Sequence, residues 1–100
     1  MTVKLLMTWD IIPGREQEYF EFVVREFMPG VQRLGMEPSD AWLTVYGNQP
    51  QIMTAMQMPT LSALENAINT PEWDSLIRQL TDFVEGYQHK IVHARSGFQI

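Results

Sequence analysis

An apolar run that stops abruptly at Pro13-Gly14 constrains the fold of this chain more than any other feature. The run covers residues 3–12 and reads VKLLMTWDII, with an apolar residue at every odd position from 3 to 11. Side chains alternate between the two faces of a β-strand, so the run predicts a strand with one apolar face and one mixed face. The Pro-Gly pair ends that strand, and the charged and aromatic run 15–28 predicts a helix that folds back on it.

The predicted first helix carries an apolar stripe at helical spacing. The stripe is formed by Tyr19, Phe20, Val23 and Phe27. Proline removes a backbone donor and disfavours helical geometry in the residue before it, so Pro29 predicts that the regular helix ends near Met28. One further turn could follow through Val31 and Leu34. Gly35 is expected to cap the C-terminus of that turn.

A β-hairpin is predicted in the middle of the chain. Residues 40–46 and 51–58 each alternate in hydrophobicity, and residues 47–50 between them read Gly-Asn-Gln-Pro. Two alternating runs on either side of a short segment rich in turn residues are typical of a hairpin. Residues 37–39, Glu-Pro-Ser, are expected to be a loop before the first of these strands.

Two helix start signals follow the hairpin. Thr60 is expected to cap a short helix that continues through Asn69. The sequence Thr70-Pro71-Glu72 places a capping residue, a proline and an acid where a second helix would begin. Apolar residues then recur at helical spacing as far as Tyr87, so that helix is expected to be long, and a last strand is predicted over residues 89–98.

The order strand, helix, strand, strand, helix, strand predicts one α+β domain over residues 1–100. The simplest packing is ferredoxin-like βαββαβ: a four-stranded antiparallel sheet with the helices on one face. The second sheet face would then be bare yet apolar in part, an unusual surface for a monomer. Its apolar residues would be Leu6, with Trp42 or Leu43 and Met53 or Met56, depending on which parity faces the helices. We therefore predict a two-fold homodimer whose sheets face each other.

Composition excludes several classes of function. The chain has 100 residues, no cysteine, and seven Lys and Arg against twelve Asp and Glu, for a formal charge of −5. No basic cluster is present to bind a phosphate backbone, so nucleic acid is not an expected partner. The longest apolar run is far short of the ~20 residues that span a bilayer, and the N-terminus does not resemble a signal peptide. We expect a soluble cytoplasmic protein.

Several motifs together resemble a known superfamily. They are Ile12-Pro13-Gly14-Arg15-Glu16 after the first strand, the aromatic helix, the Trp-containing strand, and Thr70-Pro71-Glu72-Trp73 before an amphipathic helix. In order and length the chain is similar to the dimeric α/β-barrel superfamily, which includes the NIPSNAP family and antibiotic-biosynthesis-monooxygenase-like proteins. The resemblance implies that two ferredoxin-like subunits form a barrel and that a ligand binds between a subunit's sheet and its helices.

Members of that superfamily include haem-degrading monooxygenases, cofactor-independent oxygenases of aromatic polyketides, and isomerases. The haem-degrading members use an Asn on the first strand with a Trp and a His on the second helix. Trp73 could match the Trp, but the first strand has no Asn, and His89 lies sixteen residues past Trp73. Haem is therefore disfavoured, and no cofactor is predicted.

Three titratable residues are candidates for a catalytic acid or base. His89 and His93 are the only histidines. On a strand, residues four apart lie about 13 Å from each other, too far to share a metal ion, so no metal site is predicted. Either histidine could serve as a general base, or it could be an ordinary structural residue. Asp10, on the polar face at the end of the first strand, is either a functional acid or a turn or cap residue.

Four aromatic residues, Trp9, Trp42, Tyr46 and Trp73, could form the walls of a site for a flat apolar ligand. Aromatic side chains also dominate cores and interfaces, which is the alternative for each. Two functions stay open: a monooxygenase-like enzyme acting on an aromatic or polycyclic apolar compound, or a non-catalytic dimeric binding or interaction module. A cavity large enough for a bicyclic ligand and touching a His or Asp would favour the enzyme. A filled interior would favour the module.

Overall fold

A computed structural model describes residues 2–46 and 49–93 of the chain, and of residues 42–46, 49 and 50 it describes the backbone alone. The elements are β1 (Val3–Ile11), α1 (Glu16–Phe22), a π-helical segment (Val23–Phe27), α2 (Met28–Arg33), β2 (Glu37–Tyr46), β3 (Gln49–Met58), α3 (Leu61–Ile68), α4 (Pro71–Leu80) and β4 (Val84–His93). Within this part of the chain no helix is long and apolar enough to cross a membrane.

The four strands form one sheet in the order β2-β3-β1-β4, and every neighbouring pair is antiparallel. The odd-numbered residues of β1 are buried together with side chains from all the helices in one core. The predicted ferredoxin-like α+β fold is therefore confirmed. The predicted apolar face of the first strand is the face that packs beneath the helices.

The other face of β1 is mixed, as its sequence predicts. Leu6 on this face is buried, whereas Lys4, Thr8 and Asp10 are half-buried. The Lys4 ammonium of β1 pairs with the Asp40 carboxylate of β2 at 3.3 Å, across the intervening strand β3. This surface, which the helices leave uncovered, is called the open sheet face below.

The first helical segment continues past Met28, and the further turn that the sequence left open through Val31 and Leu34 is present. The backbone stays helical from α1 through the π-helical segment and α2 to Arg33. The Met28 amide bonds to the Val23 carbonyl, five residues back. This wide turn restarts the helix, so Pro29 falls in the first turn of α2, where a missing amide costs little. Gly35 ends the segment with a φ of +89°, which confirms the predicted cap.

The wide turn also changes which aromatic residues are buried. Tyr19 and Phe27 are buried as predicted, but Phe20 is 52% exposed. Phe22, which the predicted stripe omits, is buried with its ring centre 6.1 Å from that of Phe27. A π-helical turn places residues five apart on one face, so Phe22 and Phe27 share the core in a way that an α-helix would not allow.

The hairpin is confirmed, but its boundaries differ from the prediction. Residues 37–39 belong to β2, and a bulge interrupts the β2–β3 register between Pro38 and Asp40. Residues 49 and 50 belong to β3, and the loop residues 47 and 48 lie outside the described part. Pairing of β3 with β1 begins only at Gln51, so Pro50 has no ladder on that side for its missing amide to disrupt.

The predicted long second helix is wrong beyond Leu80. Thr81 caps the C-terminus of α4, and the chain then turns into β4. This strand begins at Val84, five residues before the predicted strand. The β1–β4 register shifts by one residue around Gly86, whose φ is +69°. This bulge turns Val84 and Tyr87, three residues apart, toward the same face, which imitates helical spacing in the sequence. The predicted residues 94–98 of the last strand lie outside the described residues.

Both predicted helix starts after the hairpin are confirmed. The Thr60 hydroxyl accepts a hydrogen bond from the Ala63 amide at 3.0 Å and begins α3. The Thr70 hydroxyl accepts from the Trp73 amide at 3.1 Å and begins α4, with Pro71 in its first turn. Each threonine satisfies one amide that the first turn of a helix leaves unpaired.

Candidate functional site

A cavity of about 510 Å³ lies between the first helical segment and the sheet. Its volume falls within the ~300–1,000 Å³ typical of small-molecule sites. The side chains that line it are mostly apolar and aromatic. They include Trp9, Tyr19, Val23, Phe27, Met28, Ile52, Thr54 and Met56. The structure therefore places a pocket where the superfamily resemblance implied that a ligand would bind.

Two backbone irregularities flank this cavity. The π-helical segment contributes Val23 and Phe27 to one wall, and the β2 bulge contributes residues 38–40 to the other. A π-helical turn displaces the helix side chains that follow it, and a β-bulge bends a strand away from its neighbour. Both kinds of irregularity are frequent at functional sites, and here both face the same space.

Tyr19 lines the cavity and carries a hydroxyl group. It accepts a hydrogen bond from the Trp9 indole N–H at 3.0 Å, and both rings are buried. Burial raises the pKa of Tyr19 above its ordinary value, and the bond from Trp9 offsets part of that rise. The phenol is therefore protonated at neutral pH and can donate as well as accept.

Packing fixes the orientation of the Trp9 ring. The indole stacks on Tyr87 with ring centres 6.1 Å apart and meets Phe27 edge-on at the same separation. The Tyr87 hydroxyl in turn lies 2.9 Å from Nδ1 of His89, at the exposed edge of the sheet. Two aromatic contacts thus hold the Trp9 ring in place, and its N–H donates to Tyr19.

Two other hydroxyl groups near the cavity donate hydrogen bonds to backbone carbonyls beside the β2 bulge. Thr54 Oγ1 donates to the Asp40 carbonyl at 3.1 Å, and Ser39 Oγ donates to the Ala55 carbonyl at 3.3 Å. The Asp40 side chain pairs with Lys4 of the open sheet face, and its backbone stands opposite Ala55 in the ladder. Cross-strand partners share a face, so the Asp40 carboxylate belongs to the open sheet face although the residue borders the cavity.

The three predicted acid–base residues do not line the cavity. His89 and His93 are exposed on β4, the edge strand farthest from β2, in register with Met7 and Val3. Asp10 is half-buried and stands opposite Gln51 and Glu85, close to Gly86. A catalytic role for any of the three stays a prediction. Among the described residues, no group of three or more His, Cys, Asp or Glu could hold a metal ion.

Of the predicted aromatic walls, Trp9 lines the cavity. Trp73 is buried in the core and is not among the lining residues. The side chains of Trp42 and Tyr46 lie outside the described part of the chain. The sequence placed Tyr19 in the apolar stripe of the first helix and did not predict it as a wall of the site. The sequence does place a tyrosine in the helix stripe that packs on the strand containing Trp9, and that arrangement could have indicated a polar group at the site.

Comparison with solved structures places this fold. A NIPSNAP family protein from Agrobacterium tumefaciens strain C58 superimposes with a TM-score of 0.74 at 16% identity, covering 96% of this chain and 95% of that one. The chain has a NIPSNAP-like fold. An ethyl tert-butyl ether d (ethd) family protein from Bacillus halodurans gives a TM-score of 0.68 at 19% identity, covering 95% of this chain and 100% of that one.

The same fold extends to a putative antibiotic biosynthesis monooxygenase from Chloroflexus aurantiacus. It gives a TM-score of 0.59 at 12% identity, covering 100% of this chain and 99% of that one. No protein-family model matches the sequence, and no curated protein does. The NIPSNAP-like and monooxygenase-like resemblance is therefore confirmed in structure, at identities that show a common fold.

Proposed function

We propose that this NIPSNAP-like chain binds a flat, largely apolar small molecule in the cavity between its first helical segment and its sheet. The cavity itself supports this proposal, because it keeps about 510 Å³ open beside an otherwise packed core. Its walls offer aromatic faces from Trp9 and Phe27 and the flexible thioethers of Met28 and Met56. Such walls suit a bicyclic or tricyclic aromatic ligand, since thioethers adapt to varied shapes and aromatic rings stack.

Binding is the better supported function, and monooxygenase-like turnover of the same ligand is the second candidate. The shared fold of a putative antibiotic biosynthesis monooxygenase favours the second. Turnover of that kind needs a base to activate the substrate. The titratable residues that border the cavity are Tyr19, held protonated by burial, and Asp40, whose carboxylate pairs with Lys4. The Asp40 carboxylate lies on the open sheet face, and burial favours the protonated phenol of Tyr19, so neither places a base inside the cavity.

A homodimer formed through the open sheet face completes the proposal. Leu6 and Met53 lie on this face, beside a groove of about 380 Å³ that is also lined by Thr8, Gln88, His89 and Lys90. Pairing with a second copy would cover these apolar atoms and leave the cavity, on the opposite side of the sheet, accessible. The interaction partner expected from the sequence, a second copy of the chain, fits this arrangement.

Equilibrium dialysis with 2-isopropenylnaphthalene, an apolar hydrocarbon with a flat bicyclic ring, tests the binding proposal. We expect one saturable site per chain. Val23 lines the cavity, whereas its neighbour Val24 is 71% exposed on the outside of the same helical segment. Val23→Trp should weaken binding by roughly tenfold or more because the indole occupies the ligand's space, and Val24→Trp should leave it unchanged. Equal binding by the two variants would place the hydrocarbon elsewhere and refute the proposal.

A further inference from the structure

We infer that the cavity selects aromatic ligands bearing one neutral hydrogen-bond acceptor, such as a ketone or quinone carbonyl, which the Tyr19 hydroxyl recognises by donating to it. The inference rests on the proposed binding function and adds a ligand class to it. It follows from the hydrogen bond between Trp9 and Tyr19, in which Trp9 is the donor and Tyr19 the acceptor.

The roles are set by chemistry and by contact. An indole N–H can only donate, whereas a phenol both accepts and donates one hydrogen. Because Trp9 Nε1 lies 3.0 Å from the Tyr19 oxygen, Tyr19 must accept in this pair, and its own hydrogen must point away from Trp9. The rings of Tyr87 and Phe27 hold the indole in place, so the pair cannot exchange these roles.

Among the described residues the Tyr19 hydroxyl takes part in no hydrogen bond other than the one from Trp9. A buried donor that lacks an acceptor costs about 1–3 kcal/mol. Tyr19 lines the cavity, so an acceptor atom on a ligand in the cavity would satisfy the hydroxyl. A ligand without such an atom would displace any water there and leave the donor unpaired.

The remaining hydroxyls limit the ligand to one such contact. Thr54 and Ser39 already donate to backbone carbonyls of the sheet, so neither has a hydrogen left for a ligand. No Lys, Arg or His is among the described residues that line the cavity, and Lys4 pairs with Asp40 on the open sheet face. A carboxylate or phosphate on the ligand would thus enter an apolar space without a compensating charge, which is costly. A neutral carbonyl fits the single donor.

A matched pair of ligands isolates the hydrogen bond. 2-Acetylnaphthalene and 2-isopropenylnaphthalene have the same ring system and a side group of the same connectivity and nearly the same size, and only the ketone carries an acceptor. The ratio of their dissociation constants, measured by equilibrium dialysis, should favour the ketone roughly three- to tenfold more in the wild-type protein than in Tyr19→Phe. Taking the change in this ratio between two proteins cancels the difference in hydration of the two compounds.

The outcomes separate this inference from the binding proposal. If both compounds bind and the ratio is the same in Tyr19→Phe, the site exists and the inference is wrong. If neither binds the wild-type protein, the binding proposal fails and the inference fails with it. The infrared carbonyl stretch of bound 2-acetylnaphthalene gives a second readout in the wild-type protein. A stretch below its hexane value supports donation to the ketone, and a stretch at that value refutes it, even if Tyr19→Phe does not fold.

Discussion

Trp9 and Tyr19 bring polar atoms into a core that is otherwise apolar, and the Tyr19 oxygen accepts the hydrogen of the Trp9 indole. Neither residue is unusual in the sequence, where both occupy positions expected for packing. Periodicity could predict that the two rings face each other, because β1 alternates and the helix stripe begins at Tyr19. It could not predict the hydrogen bond, which depends on ring orientation, and that orientation comes from contacts with Tyr87 and Phe27.

The Trp9→Phe substitution tests the worth of this pair. It removes core volume, and it also leaves the Tyr19 hydroxyl without its donor, so we expect a loss of about 2–3 kcal/mol in the free energy of unfolding. Trp73→Phe removes the same volume from another buried position and is the control. Urea denaturation should show Trp9→Phe to be about 1 kcal/mol more destabilising. Equal losses would mean that the hydrogen bond adds nothing measurable.

Tyrosine burial predicts how stability depends on alkaline pH. Burial raises the pKa of Tyr87 above its ordinary value, and that of Tyr19 in the same direction. The unfolded chain releases these phenolic protons at about pH 10, before the folded chain does, so stability is fully present below that pH and is lost above it. The urea concentration at half-unfolding should decrease as the pH is raised from about 9 to about 11. The decrease should be less steep in Tyr87→Phe. A Tyr87→Phe curve as steep as the wild type would contradict this origin.

At the scale of the element, the sequence signals were reliable where one local rule acted alone. Pro13-Gly14 ended β1, Thr60 and Thr70 began helices, and Gly35 ended one. The signals failed where an extra residue shifted the repeat by which side chains face the core. The bulge at Gly86 gave strand residues a helical spacing, and the wide turn before Pro29 hid the continuation of a helix. Both insertions are settled by tertiary pairing, which a single sequence does not display.

Pro29→Ala examines the phase change in the first helical segment. A proline inside a regular α-helix is about 3 kcal/mol worse than alanine. In the first turn of α2, after the π-helical turn, most of that penalty is already absent. We expect Pro29→Ala to change the free energy of unfolding by less than about 1 kcal/mol in urea denaturation. A gain near the full penalty would mean that Pro29 sits in an ordinary helix interior.

At the scale of the whole molecule, element order and the helix-covered sheet face followed from sequence because strand alternation and connection rules leave few packings. The cavity did not follow, since it is a space left by two irregularities whose positions were not predicted. The predicted acid–base residues lie away from that space for a related reason. His89 and His93 lie on the last strand, as predicted, but the sequence did not predict that this strand forms an exposed edge of the sheet away from the cavity.

The proposed homodimer can be tested by introducing a charged residue on the open sheet face. We expect the wild-type chain to sediment at twice its 11.6 kDa mass at micromolar concentration. Met53→Lys places an ammonium in the proposed interface and should shift sedimentation to the single-chain mass, because an unpaired buried charge is costly. Leu61→Lys, at an exposed apolar residue of α3, is the control and should stay dimeric. A monomeric wild-type protein would disprove the dimer.

Methyl NMR of the methionines is the most direct measurement of the central claim, that the cavity between helix and sheet is a ligand site. With ¹³C-methyl methionine and 2-acetylnaphthalene, we predict saturable shifts at Met28 and Met56, which line the cavity. Met53, beside the groove of the open sheet face, should not shift. Saturable shifts at Met53 with Met28 and Met56 unchanged, or no saturable shift at any methyl group, would contradict the account.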